Sequence, residues 1–150
     1  ATAKFVDELA NDLIPYIEKN YRVKTDSANR ALAGLSMGGF HSMQISKENP
    51  QMFDYVGLFS AAIFRGDSSK SAIYSDFERK LKKQFAASPK LYWIAIGKDD
   101  FLYDENVRYR ELLDAKGYPY TYVESDGGHV WRNWRVYLSQ FTPLLFRAEK

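Results

Sequence analysis

The stretch Arg30-Ala31-Leu32-Ala33-Gly34-Leu35-Ser36-Met37-Gly38-Gly39-Phe40 constrains this chain more than any other. A short apolar run leads into Gly-x-Ser-x-Gly, and small, helix-competent residues follow. This is the sequence form of a tight strand-to-helix turn that presents a serine side chain at its apex. Such a turn holds the serine backbone in a strained conformation that only close-fitting neighbours tolerate. Gly34 and Gly38 are expected to supply the room, because neither carries a Cβ where the strand and helix backbones converge. A helix beginning near Met37 would aim its free N–H groups and positive dipole end at Ser36. Those groups suit an oxyanion, so the expected chemistry is acyl transfer through a serine hydroxyl.

With 150 residues, 45% of them hydrophobic and 16% aromatic, the chain is long and apolar enough for one domain with a packed core. A formal net charge of +2, spread evenly and with no basic block or basic-aromatic stripe, argues against nucleic acid as a partner. The absence of cysteine excludes disulfides, thiolate metal sites and a cysteine nucleophile together. Two histidines far apart in sequence offer no recognisable metal-ligand set either, so neither metal nor cofactor is expected. No apolar run approaches the roughly 20 residues that span a bilayer, and no membrane partner is expected. No signal peptide opens the chain, and Ala1 reads as lying in mid-helix.

The order of elements follows from periodicity. Phe5, Leu9, Leu13 and Ile17 mark an amphipathic helix, kinked at Pro15 and stopping near Asn20. Arg30 to Leu35 reads as the strand feeding the turn, Gly39 to Lys47 as the helix leaving it, with Asn49-Pro50 as its end. Tyr55 to Ser60 is apolar on both faces, as buried parallel strands are. A polar loop over Phe64 to Ser75 precedes a helix striped by Ile73, Phe77, Leu81 and Phe85. Leu91 to Ile96 is a further buried strand, followed by a helix from Asp104 to Lys116 that Gly117 stops. Tyr120 to Val123 reads as the fourth strand and Trp131 to Phe146 as the last helix. Strands alternating with helices imply a parallel α/β sheet with its site at the carboxyl ends of the strands.

Three candidate residues fall just past apolar strands. A serine hydroxyl needs a histidine to take its proton, and the histidine needs a carboxylate to hold its tautomer. Ser36, an aspartate within Gly97-Lys98-Asp99-Asp100, and His129 within Asp126-Gly127-Gly128-His129 follow one another in that chain order. Either Asp99 or Asp100 can be that carboxylate, the second standing three residues past Gly97, and Asp126 stands too near His129 in the same loop to be the first choice. His41, on the helix after the turn, reads as structural or as a surface residue. Phe64 after the second strand, Phe101 and Tyr103 after the aspartate pair and Trp131 after His129 are suited to stacking on an acyl group or sugar, although Trp131 is better suited to packing on the histidine loop and last helix.

Gly34-Leu35-Ser36-Met37-Gly38-Gly39, Ile96-Gly97-Lys98-Asp99-Asp100 and Gly127-Gly128-His129-Val130-Trp131 together resemble the putative-esterase branch of the α/β-hydrolases. That branch includes the feruloyl and acetyl xylan esterases of carbohydrate esterase family 1 and the related enterochelin esterases. Leu13 to Glu18 and Tyr21-Arg22-Val23 are similar to the approach that precedes the turn in that family. The resemblance implies Ser36 as nucleophile, His129 as base, Asp100 as acid and the Met37 N–H as one oxyanion donor. It implies acylated polysaccharide or a small aryl ester as substrate, with no cofactor, and a secreted or periplasmic location; Phe101 and Trp131, by their positions, are the residues expected near that substrate.

The family's domain also carries strands before this point, and a loop among them holds the second oxyanion donor. The expected fold is therefore the C-terminal half of an α/β-hydrolase, a single domain over 1–150 of about four parallel strands with flanking helices. By itself it would be weak or inactive. Its turn strand would have an open edge, available to another copy or to the missing half. Two other readings share these residues: a thioesterase resembling S-formylglutathione hydrolase, and a carbohydrate-binding module that kept the scaffold without the activity.

Overall fold

A computed structural model describes residues 2–66 and 70–147. It contains one four-stranded parallel sheet, β1 (Ala31–Leu35), β2 (Tyr55–Phe59), β3 (Leu91–Gly97) and β4 (Thr121–Ser125), in that spatial order. The helices are α1 (Thr2–Glu8), α2 (Ile14–Asn20), α3 (Met37–Glu48), α4 (Phe77–Ala86), α5 (Tyr103–Lys116) and α6 (Trp131–Phe141). Because the strands follow one another across the sheet, right-handed crossovers put α3, α4 and α5 on the same face. The period-two alternation of β3 makes the division visible. Tyr92, Ile94 and Ile96 join Met43, Leu81, Tyr109 and Leu113 in one core, while Trp93 and Ala95 join Phe59, Trp134, Tyr137 and Phe141 of the α6 face in another. The residues of β2 are all buried, as its apolar sequence requires.

Three boundaries differ from the sequence expectation, each for a local reason. The first helix does not simply kink at Pro15. A wide π turn over Leu9–Leu13 separates α1 from α2, with the Ile14 N–H reaching back to the Leu9 carbonyl. Pro15 has no N–H to continue the ordinary ladder, and the extra residue is absorbed just ahead of it. Ile73 does not open α4. It sits in a separate 3-10 turn, Ala72–Tyr74, because Asp76 adopts a left-handed φ of 55° that breaks the path into Phe77. The last helix stops at Phe141 rather than Phe146, and Pro143 shapes a 3-10 turn over Thr142–Leu144.

The glycines of the turn also divide differently. A Cβ on Gly34 would collide with the Gly38 carbonyl, so Gly34 acts as expected. Gly38 itself faces open space, and a Cβ there would have nothing within 4 Å. The crowding falls instead on Gly39, where a Cβ would lie 2.7 Å from that of Ala61. Gly34→Ala is therefore expected to prevent the turn from closing. Gly38→Ala, on a helix, should preserve or raise stability by up to about 1 kcal/mol. Urea denaturation of the two variants tests the distinction, and equal losses would contradict it.

Candidate active site

Ser36 joins β1 to α3 with φ 52° and ψ −116°, a conformation that costs a non-glycine residue about 1–3 kcal/mol. Its surroundings over-determine that geometry. The Ser36 N–H donates to the Phe59 carbonyl at 2.9 Å, and the Ser36 carbonyl accepts from the N–H groups of Phe40 at 3.1 Å and Ala62 at 3.0 Å. The turn thus hangs between β2 and the first turn of α3. Met37 is the first residue of that helix, so its N–H has no intrahelical acceptor and lies beside the Ser36 side chain.

His129 arrives from the loop between β4 and α6. Its Nε2 is 2.9 Å from Ser36 Oγ, and its Nδ1 is 2.9 and 3.1 Å from the two carboxylate oxygens of Asp100. A carboxylate only accepts, so Nδ1 carries the proton and Nε2 is left to accept from the Ser36 hydroxyl. Asp100 Oδ1 also accepts the Leu102 N–H at 2.9 Å, at the entrance to α5. The Asp100 side chain is fully buried and that of His129 is 18% exposed. A buried carboxylate needs such partners, and here it has both a ring N–H and a backbone N–H. The three residues expected from the sequence are brought together. Asp99 is exposed on the same turn and Asp126 pairs with Lys98 at 3.4 Å, so neither carboxylate is the one that meets His129.

Several supporting residues carry no obvious mark in the sequence. Asn133, on α6, donates from Nδ2 to the carbonyls of Asp126 and Gly128, both at 3.0 Å, and so clamps the loop that delivers His129. Gly97 permits the same loop to close on the end of β3, since a Cβ there would strike the Gly127 carbonyl. Trp134 sets its ring edge-on to His129 at 4.8 Å, and its Nε1–H donates to Ser60 Oγ at 3.1 Å. Asn106, fully buried, donates to the carbonyls of Ala61 and Leu102 at 2.9 Å each, joining the loop beside Ser36 to the turn that holds Asp100. Both asparagines interrupt an apolar helical stripe, Asn133 beside Tyr137 and Asn106 beside Tyr109, and that is the available signal. Tyr137, its hydroxyl 2.6 Å from Ser125 Oγ, is held above the ordinary tyrosine range by burial, with the Asp100 charge adding to it, and stays protonated as a neutral neighbour.

The remaining candidates stand at the rim. Phe101 is 61% exposed, with its ring 4.7 Å from that of His129. Trp131 is 64% exposed and rests edge-on against Trp134 at 5.3 Å. Tyr103 turns away to donate to Glu124 at 2.8 Å, and Phe64 packs among Tyr74, Phe77 and Tyr109. His41 meets the rings of Phe5 and Phe40.

A family model described as Putative esterase matches residues 1–145. The chain belongs to that family. Among relatives of this esterase-family chain, the endo-1,4-beta-xylanase/feruloyl esterase of Xylanibacter ruminicola is 32% identical over 147 residues, 96% of this chain and 18% of that protein. The acetyl esterase of Caldicellulosiruptor saccharolyticus is 26% identical over 90% of this chain and 61% of that protein. Among solved structures, a CE1 ferulic acid esterase from Anaeromyces mucronatus, in complex with ferulic acid, is similar with a TM-score of 0.79 and 25% identity. The alignment covers 95% of this chain and 54% of that one. An S-formylglutathione hydrolase from Staphylococcus aureus, at 20% identity and a TM-score of 0.72, shares the α/β-hydrolase fold. The chain thus spans less than two thirds of the length of each of these proteins.

Asn133→Ala would remove the donor to the Asp126 carbonyl and leave the Gly128 carbonyl with the Val130 N–H alone, a loss of about 1–3 kcal/mol. Thermal unfolding together with amide exchange should show that loss, with faster exchange concentrated over residues 126–130. Uniform exchange across the sheet would mean the clamp is not local.

Proposed function

We propose that this chain carries the reacting groups of a serine esterase that hydrolyses acyl esters, acetyl or feruloyl, on plant cell-wall polysaccharide. The observation that carries the reading is the unbroken hydrogen-bonded chain from Ser36 through His129 to Asp100 at the carboxyl end of the sheet. Ser36 Oγ attacks the ester carbonyl while its proton passes to His129 Nε2. Asp100 holds the imidazole in the required tautomer and stabilises the imidazolium. The Met37 N–H donates to the oxyanion. Collapse expels the alcohol, which takes the proton back from His129, and leaves an acyl group on Ser36. Water, deprotonated by His129, then attacks that acyl group and releases the acid. Phe101 and Trp131, both exposed beside the histidine loop, provide flat surfaces for an aryl or sugar ring.

The substrate class comes from the relatives, whose names join esterase activity to xylanase activity or to ferulic acid. The same likeness supports a secreted or periplasmic location; among the described residues no helix is long and apolar enough to cross a membrane.

A second component of the proposal concerns completeness. β1 pairs with β2 alone, and its other edge is open among the described residues. Beside that edge runs an apolar groove of about 510 Å³, with Leu13, Ile17, Val23, Leu32, Phe53 and Phe146 in its walls. We infer that a further stretch of polypeptide pairs with β1 here and brings the second oxyanion donor, and the greater length of the relatives agrees with it. Absence of one such donor costs about 10²–10³ in rate.

Labelling with a fluorophosphonate, on this chain and on a form extended at its N-terminus, tests both components. Labelling is expected at Ser36 and lost in Ser36→Ala, with aryl-ester turnover falling at least about 10⁴-fold. Labelling of the extended form alone, or far faster labelling of it, is the expected result for an incomplete oxyanion site. Equal turnover by both forms would overturn the second component, and labelling of neither would overturn the first.

A further inference from the structure

Arg65 lies in the loop after β2, exposed to solvent, with its guanidinium carbon 5.4 Å from the centre of the Phe101 ring. Phe101 in turn lies 4.7 Å from the His129 ring. One aromatic ring is therefore the shared neighbour of an exposed cation and of the imidazole that bonds Ser36. An exposed arginine ordinarily samples many rotamers, and stacking on an aromatic face restricts it and turns its N–H edge toward solvent. That edge is a planar fork matched to a carboxylate. Of the other cations around these loops, Lys98 pairs with Asp126 and Arg108 reaches the Phe64 carbonyl at 3.4 Å, while the Arg132 guanidinium lies beside Gly127 of the histidine loop. Asp99, exposed two residues before Phe101, sets a limit on how strongly an anion is favoured.

We propose that Arg65, displayed on Phe101, is a specificity-determining residue that favours ester substrates bearing a carboxylate one ring beyond the scissile bond, above all acyl esters of uronic-acid-containing oligosaccharides. The assignment rests on the esterase reading of Ser36, His129 and Asp100. A sugar ring resting against the part of Phe101 that Arg65 leaves uncovered presents its own substituent, or that of the next residue, to the guanidinium, while the esterified hydroxyl remains at Ser36. A dicarboxylic acyl group would offer the same carboxylate from the other side of the scissile bond, and the two sources are separable by substrate.

The test compares kcat/KM for four esters on the longest active form of the polypeptide: 4-nitrophenyl acetate, an acetylated neutral xylo-oligosaccharide, its uronic-acid-bearing counterpart, and 4-nitrophenyl hydrogen succinate. The ratio of the acidic to the neutral oligosaccharide is expected to fall about five-fold in Arg65→Gln, the size of an exposed ion pair. The fall should sit in KM, be partly rescued in Arg65→Lys, and deepen in Arg65→Glu. Raising the salt from low to high concentration should shrink the wild-type preference but not that of Arg65→Gln. Loss of preference for the succinyl ester alone would move the carboxylate to the acyl side and overturn the sugar assignment. A ratio that does not change among wild type, Gln and Glu variants overturns the proposal while leaving the esterase reading intact. Failure of the wild type to turn over 4-nitrophenyl acetate, with no fluorophosphonate labelling at Ser36, would remove the esterase reading and this inference together.

Discussion

The register of the parallel sheet governs everything at the site. Leu35 pairs with Phe59, Phe59 with Ala95 and Ala95 with Val123, where β1 and β2 end, and β3 and β4 run two residues further to the pair Gly97 and Ser125. Ser36 is the next residue after the first of these. Asp100 and His129 follow the last two by short turns. A slip of one residue in any pairing would invert the faces of a strand and carry its turn away from the other two. The alternation of buried side chains on β3, toward α4 and α5 on one face and toward α6 on the other, penalises such a slip on both faces at once.

Upon that frame, the site is assembled by close backbone approach. Gly34 lets α3 descend onto the end of β1, Gly39 lets it meet Ala61, and Gly97 lets the histidine loop settle against the end of β3. Each approach is then locked by a polar contact: Ala62 to the Ser36 carbonyl, Asn106 to Ala61, Asn133 to Asp126 and Gly128. The imidazole has little freedom between Phe101 and Trp134, with hydrogen bonds at both ring nitrogens. For the proposed reaction, preorganisation of this kind would leave little to reorganise.

What can be read from the sequence is whatever is encoded locally. The strands show themselves as apolar runs, and the candidate residues by their position just past those runs. Asp99 and Asp100 are adjacent and alike in sequence, and the structure gives the physical difference: Asp100 is buried against a ring N–H, and Asp99 faces water. What cannot be read depends on contacts between distant segments. Gly38 and Gly39 are adjacent and alike in sequence, and only the position of Ala61 decides which of them must lack a side chain. The same holds for Asn133, whose partners lie in a loop ahead of its helix, and for Arg65, whose aromatic platform comes from another strand's turn. Helix ends depart from the side-chain stripe where a single backbone exception, Asp76 in the left-handed region or Pro143 without its N–H, outweighs it.

The backbone at Ser36 has a consequence for how such a sequence drifts. Glycine would adopt the same φ of 52° without the penalty, so a lineage selected for folding alone would tend to settle on glycine there. Keeping a hydroxyl at that corner holds the fold permanently below the stability its own scaffold could reach. Under the proposed function, the serine is a standing concession by the fold to chemistry, written into a single dihedral angle.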